Sequence, residues 1–158
     1  KNLRKKSGEF VGNIIVRSSN LKSIKCSKIL VPSAIDEFPL LFIVASVIKG
    51  TSKFYGINEL RHKESDRIKN IENGLNKIGI ITKSTSDSLI IYGNPNIKIN
   101  KILKISSKED HRIAMAFFCL GQLLNGNVEI DNFQTVNTSF PKFLYIMKKI
   151  GASFEIKK

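Results

Sequence analysis

The sequence predicts an α/β (α+β) fold of repeated β-α-β-α-β-β units with buried helices, and three observations carry that expectation. Segments 35–49 and 111–125 are apolar nearly all round, as a helix enclosed by protein should be. Each ends in a polar residue plus glycine (Lys49-Gly50, Asn125-Gly126), and a short alternating segment follows each. Two further segments carry a single apolar stripe and stop at Gly79 and Gly151, so the same elements recur in the same order, about 72 to 76 residues apart.

Taken in chain order, the strand-like run Asn13–Arg17, with its β-branched Ile14, Ile15 and Val16, predicts a first strand. The buried helix over 35–49 presents Ile35, Phe38, Leu41, Phe42, Ala45 and Ile48, and Thr51–Tyr55 reads as the next strand. Ile68, Ile71, Leu75 and Ile78 then mark an amphipathic helix opened by Lys63–Arg67. Ile80–Lys83 and Ser88–Tyr92 form a hairpin across 84–87. The second copy begins with a strand in Asn96–Ile105. Its buried helix carries Arg112, Ile113, Ala116, Phe117, Leu120 and Leu124, and a strand follows at Asn127–Asp131. Phe140, Phe143 or Leu144, Met147 and Ile150 mark the last helix, opened by Thr138-Ser139, and Ala152–Ile156 the last strand. Unit one therefore covers about 13–95 and unit two about 96–158, the second cut short. Such a unit cannot bury its central helix alone and must pack on its copies; two copies leave one side open.

With 158 residues and 42% hydrophobic content, the chain has enough apolar side chains for a core, which excludes a disordered basic tail. It carries a formal charge of +13, of which residues 1–30 hold eight cations against one anion. Arg occurs at positions 4, 17, 61, 67 and 112, and all other cations are Lys scattered among Ile and Asn, so most of the charge reads as a solvated basic surface. Cys26 and Cys119 lie far apart with no metal-ligand spacing, so neither a metal site nor a disulfide framework is indicated, and no cofactor is implied. The apolar run Phe38–Ile48 falls short of the ~20 residues of a membrane span, and the polar start Lys1–Lys6 is unlike a secretory leader. These features predict a cytoplasmic protein with no membrane partner. A start at Lys1 rather than Met, with no clean element before Asn13, suggests a piece of a longer chain.

Charged residues gather where the helices begin: Asp36, then Lys63-Glu64-Ser65-Asp66-Arg67, then Asp110-His111-Arg112. Taken singly, Asp36, Glu64 and Asp110 are ordinary acids for a helix start, and Ser139 an ordinary cap. If the units pack symmetrically, however, these starts converge. Their unpaired N–H donors, joined by Lys63, Arg67, His111 and Arg112, then make an anion site suited to a small polyanionic metabolite. Arg67 and Arg112 argue most strongly for function, because an Arg at the mouth of a core is costly unless it is paired or binds an anion.

The segments I-D-E-F-P (35–39), E-L-R-H-K-E-S-D-R (59–67), D-H-R-I-A-M-A-F (110–117) and T-S-F-P-K-F (138–143) occur in register. Together they closely resemble the C-terminal part of the 5-enolpyruvylshikimate-3-phosphate synthase family. The resemblance spans Arg17-Ser18-Ser19 to Gly151-Ala152. It implies an incomplete enolpyruvyl transferase-like domain, two of its three units, with a second domain outside this chain and substrates bound between the two. It further implies transfer of the enolpyruvyl group of phosphoenolpyruvate to the 5-hydroxyl of shikimate 3-phosphate, with release of phosphate. Asp36 would hold the 5-hydroxyl and accept its proton, and Glu64 would protonate the methylene carbon. Lys63 would contact the substrates, Arg67 and Arg112 would clamp phosphoenolpyruvate, and His111 would orient the site. Two positions depart from the family pattern: Thr138 stands where some members carry Lys, and His62 where Val is common. The missing N-terminal part holds the shikimate-phosphate contacts and a further Lys, so the fragment alone is expected to be inactive.

Two alternatives compete. The related transferase acting on UDP-N-acetylglucosamine shares the fold and the donor, but does not typically combine Lys-Glu-Ser-Asp-Arg with Asp-His-Arg. A basic nucleic-acid-binding module would use the N-terminal segment, which is poor in the aromatic and Arg side chains that stack on and read bases.

Overall fold

The structure, a computed structural model, describes residues 1–99, 101–124 and 126–157. The chain opens with an antiparallel hairpin, β1 (Arg4–Lys6) and β2 (Glu9–Val11), turning through Ser7 and Gly8, both at positive φ. The strand expected at Asn13–Arg17 does not form. Asn13 closes the hairpin by bonding Lys1, and beyond it no ladder continues, leaving Ile14 90% and Val16 87% exposed. An extended segment becomes a strand only when a neighbour takes up its N–H and carbonyl groups.

Two parallel β-α-β crossovers build the rest. In the first, β3 (Lys25–Cys26) leads through α1 (Val31–Ala34) and α2 (Phe38–Ser46) to β4 (Gly50–Tyr55), with Cys26 opposite Phe54. Then α3 (Arg67–Lys77) precedes a hairpin of β5 (Ile81–Ser84) and β6 (Ser88–Gly93). The sheet order is β3-β4-β6-β5, with β6 antiparallel to both neighbours. In the second crossover, β7 (Leu103–Ile105) leads through α4 (His111–Leu123) to β8 (Val128–Ile130), and α5 (Phe143–Lys149) follows. The repeat is thus present, and its helix ends match in detail. Gly79 (φ +79°) and Gly151 (φ +98°) take the left-handed conformation, with Ile80 N–H bonding Leu75 O and Ala152 N–H bonding Met147 O.

Several expected boundaries move. The first buried helix starts at Phe38, because Ile35–Glu37 form a 3-10 turn and Pro39 suits only a first turn. The strand expected in 96–105 shrinks to β7. The last helix starts at Phe143 rather than Phe140, after a 3-10 turn over Phe133–Thr138 and Pro141, and its N-cap position is Lys142 rather than Ser139. Residues 152–156 form no strand, since nothing among the described residues supplies the counterpart of β6 beside them. They are held instead by paired bonds between Ser153 and the Gln122 amide and by Phe154 against Phe118, 5.5 Å between ring centroids. The Asn125 half of the expected Asn125-Gly126 cap lies outside the described residues.

The core lies between the first sheet and helices α2, α3 and α4. Phe38, Phe42 and Phe54, all fully buried, meet edge to face with centroids 4.8–6.0 Å apart. A smaller cluster joins Ala114, Phe118, Val136 and Phe143 on the far side of α4. Close approach of α3 to α4 depends on Gly74, where a Cβ would lie 2.1 Å from the Phe117 ring. The helical run Lys28–Ser46 is long and apolar enough by composition to cross a membrane. Its second half is accounted for by burial of Phe38, Phe42, Ile43 and Ala45 in this core. Cys26 and Cys119 are free, and burial raises both thiols above their ordinary pKa.

Candidate functional site

Three segment starts meet at one end of the core. Asp36 sits in the 3-10 turn entering α2. Arg67 is the first residue of α3, whose cap is Asp66, accepting from Lys69 N–H at 2.9 Å. Asp110 caps α4, accepting from Arg112 N–H at 2.9 Å and Ile113 N–H at 3.3 Å. The packing of α2, α3 and α4 that buries the apolar stripes therefore carries these three positions together, although Asp36 and Asp110 lie 74 residues apart in sequence.

Arg67 is the hub. It is 1% exposed, and its guanidinium donates to three carboxylates. Nε reaches Asp110 Oδ2 at 2.9 Å, Nη1 reaches Asp36 Oδ1 at 3.1 Å, and Nη2 reaches Glu64 Oε2 at 2.5 Å. Arg112 Nη1 donates to the Asp36 carbonyl at 2.7 Å and to Glu37 Oε1 at 3.1 Å, and its Nη2 lies 3.5 Å from Asp36 Oδ2. His111 Nδ1 stands 3.9 Å from Glu64 Oε1, an electrostatic neighbour beyond hydrogen-bond range. Asp36 and Glu64 are about half exposed, so they form the mouth of the site, whereas Asp110 is fully buried behind them.

Burial alone would raise the Asp110 pKa. The Arg67 hydrogen bond and charge, the Ser65 hydroxyl at 2.9 Å and the Ile113 N–H outweigh it and hold the carboxyl below its ordinary range. Asp110 therefore stays ionised as a fixed partner.

Of the residues marked in the sequence, the structure brings together Asp36, Glu64, Arg67, His111 and Arg112. Lys63 is at the same end but its ammonium donates to Glu59 Oε1 at 2.6 Å. Of the two ways to accommodate an Arg at the mouth of a core, Arg67 shows pairing, with three carboxylates on its fork. One expectation changes. The start of the last helix does not join the others through Ser139: the Thr138 hydroxyl bonds back to Thr135 O, and α5 begins further on. In the sequence, Asp110 reads as a helix acid and Ser65 as part of a motif. Their shared role on Arg67 has no local signal, since Asp110 and Arg67 are 43 residues apart.

Chemically, the arrangement offers two half-exposed carboxylates able to exchange protons beside two guanidiniums able to hold an anion. An entering anion would have to replace carboxylates already on Arg67 and Arg112.

Comparison with known proteins points one way. A family profile described as EPSP synthase (3-phosphoshikimate 1-carboxyvinyltransferase) matches residues 7–147. The chain is similar to a 3-phosphoshikimate 1-carboxyvinyltransferase of Zymomonas mobilis, 42% identical over 98% of this chain and 35% of that protein. It is also similar to one of Clostridium tetani, 43% identical over 90% of this chain and 32% of that protein. Among solved structures, EPSP synthase from Acinetobacter baumannii superposes with a TM-score of 0.90 at 38% identity, over 99% of this chain and 36% of that one. The chain thus spans about a third of the length of the relatives it matches.

Proposed function

The chain belongs to the EPSP synthase (3-phosphoshikimate 1-carboxyvinyltransferase) family, and on that premise we propose that it forms part of the catalytic cleft of such an enzyme. The reaction is transfer of the enolpyruvyl group of phosphoenolpyruvate to the 5-hydroxyl of shikimate 3-phosphate, in the cytoplasm, on the route to aromatic amino acids. The remaining two thirds of the polypeptide would supply the second domain and the rest of the substrate contacts. The observation that carries the reading is the meeting of Asp36, Glu64, Arg67 and Arg112 from three separate segments.

Addition needs a base at the hydroxyl and an acid at the methylene carbon. Asp36 would accept the 5-hydroxyl proton as the oxygen bonds to C2 of phosphoenolpyruvate, and Glu64 would deliver a proton to the methylene. The resulting tetrahedral intermediate then returns a methyl proton and expels phosphate. Arg67 and Arg112 suit the donor's carboxylate and phosphate because a planar fork binds such oxyanions at two points. On Arg67, the half-exposed carboxylates of Asp36 and Glu64 mark where those oxygens would sit. Lys63, released from exposed Glu59, would reach the reacting centre, and His111 beside Glu64 would orient it.

The test is phosphate release by the full-length polypeptide with phosphoenolpyruvate and either shikimate 3-phosphate or UDP-N-acetylglucosamine. Turnover with the first acceptor alone is expected, and Glu64→Gln or Asp36→Asn should lower kcat by about a hundredfold or more. Turnover with UDP-N-acetylglucosamine alone would sink the assignment.

A further inference from the structure

We infer that Asp110 is a positioning residue for the donor: it grips the inner edge of the Arg67 guanidinium and so fixes the outer edge on which the donor's carboxylate docks. This rests on the reading of Arg67 as a donor clamp. The geometry is asymmetric. Asp110 takes Arg67 side-on, Nε to Oδ2 at 2.9 Å and Nη2 to Oδ1 at 3.4 Å, while Asp36 and Glu64 take Nη1 and Nη2 from the mouth.

The three carboxylates differ in how easily they let go. Asp36 and Glu64 are 47% and 48% exposed, so water can solvate them once they leave Arg67. Asp110 is fully buried against a buried guanidinium, where leaving one charge unpaired is strongly unfavourable. It is also immobilised from every side. Its Oδ1 accepts from the Arg112 and Ile113 backbones, and its Oδ2 accepts from the Ser65 hydroxyl, itself held by the Asn70 amide at 2.9 Å. An arriving anion therefore displaces Asp36 and Glu64, not Asp110. Because Asp110 also caps α4, the same carboxylate ties the aim of Arg67 to the start of the helix that carries Arg112.

The experiment uses the full-length enzyme with Asp110→Asn, Ser65→Ala, Arg67→Lys and the Asp110→Asn/Arg67→Lys double variant, each corrected for folded fraction. Asp110→Asn should raise KM for phosphoenolpyruvate about tenfold or more, with KM for shikimate 3-phosphate changed less than about threefold. In the Arg67→Lys background the same substitution should add less than about threefold, since the two act as a unit. Ser65→Ala should raise KM for phosphoenolpyruvate by about two- to fivefold. A merely structural cap would lower folded fraction, or move both KM values alike, with effects that multiply independently of Arg67; that outcome overturns the inference. If Asp110→Asn does not fold, Ser65→Ala decides, and an unchanged KM for phosphoenolpyruvate overturns it. If Arg67→Lys itself leaves that KM unchanged, the donor-clamp reading fails first, and this inference with it.

Discussion

Arg67 and Arg112 look alike in the sequence, each an Arg near a helix start, yet burial separates them. Arg67 is 1% exposed and faces the fully buried Asp110; Arg112 is 26% exposed and faces the half-exposed Asp36 and the open Glu37. Replacing Arg67 by Leu strands a buried carboxylate and is expected to cost about 3–5 kcal/mol in urea unfolding. Replacing Arg112 by Leu should cost about 1 kcal/mol or less, although both should damage activity. Equal costs would mean that Asp110 finds another partner. Acidification probes the same pair. Asp110 has a folded pKa below its unfolded one, so its contribution is complete above the ordinary carboxylate range and is lost as pH falls through that range toward the folded value. Asp110→Asn should therefore flatten the fall of stability below about pH 4, measured by denaturant midpoints across pH. That these charged residues would meet was legible because motif segments recur at helix starts. Which carboxylate holds which cation was not, because that depends on how deeply each start is buried.

At the level of elements, legibility followed local chemistry. Helices α3 and α5 end where Gly79 and Gly151 say they should, because a left-handed residue after an apolar stripe is a local instruction. No strand forms at 13–17 or 152–156, because a β-branched run or an alternating one describes the segment alone and says nothing about a neighbour to pair with. Gly74 shows the same limit in a helix. Its lack of a side chain is invisible as function in sequence, but in the fold it admits Phe117 between α3 and α4. Gly74→Ala gains about 1 kcal/mol of helix propensity and meets a ring 2.1 Å from its new carbon. The clash is expected to win, for a net loss of about 1–3 kcal/mol in thermal or urea unfolding. Recovery in a Gly74→Ala/Phe117→Leu double variant would identify the ring as the cause.

The two halves of the molecule are unequally complete. The first unit closes its sheet at four strands, whereas among the described residues the second keeps only β7 and β8. The space left there, beside residues 153–157 and the inner ring of Phe118, is an open hollow of about 980 Å³ lined by β8, Phe118, Leu144 and Phe154. Near the start of the chain, Phe10, Ile14 and Val16 are exposed as well. The candidate site occupies the mouth between segment starts with Asp36 and Glu64 about half exposed, so nothing among the described residues excludes water from them. Proton transfer between carboxylates and a weakly acidic hydroxyl depends on such exclusion, because water weakens each charge interaction that would lower the barrier. Hence the 158-residue chain by itself is expected to release no phosphate above background from phosphoenolpyruvate and shikimate 3-phosphate, even at pH values where it is folded. Its circular dichroism should nevertheless report helix and sheet, since Phe38, Phe42 and Phe54 are fully buried in a core that both units of this chain build. Measurable turnover by the isolated chain would show that the converged helix starts suffice without a second wall, and the cleft interpretation would then have to be given up.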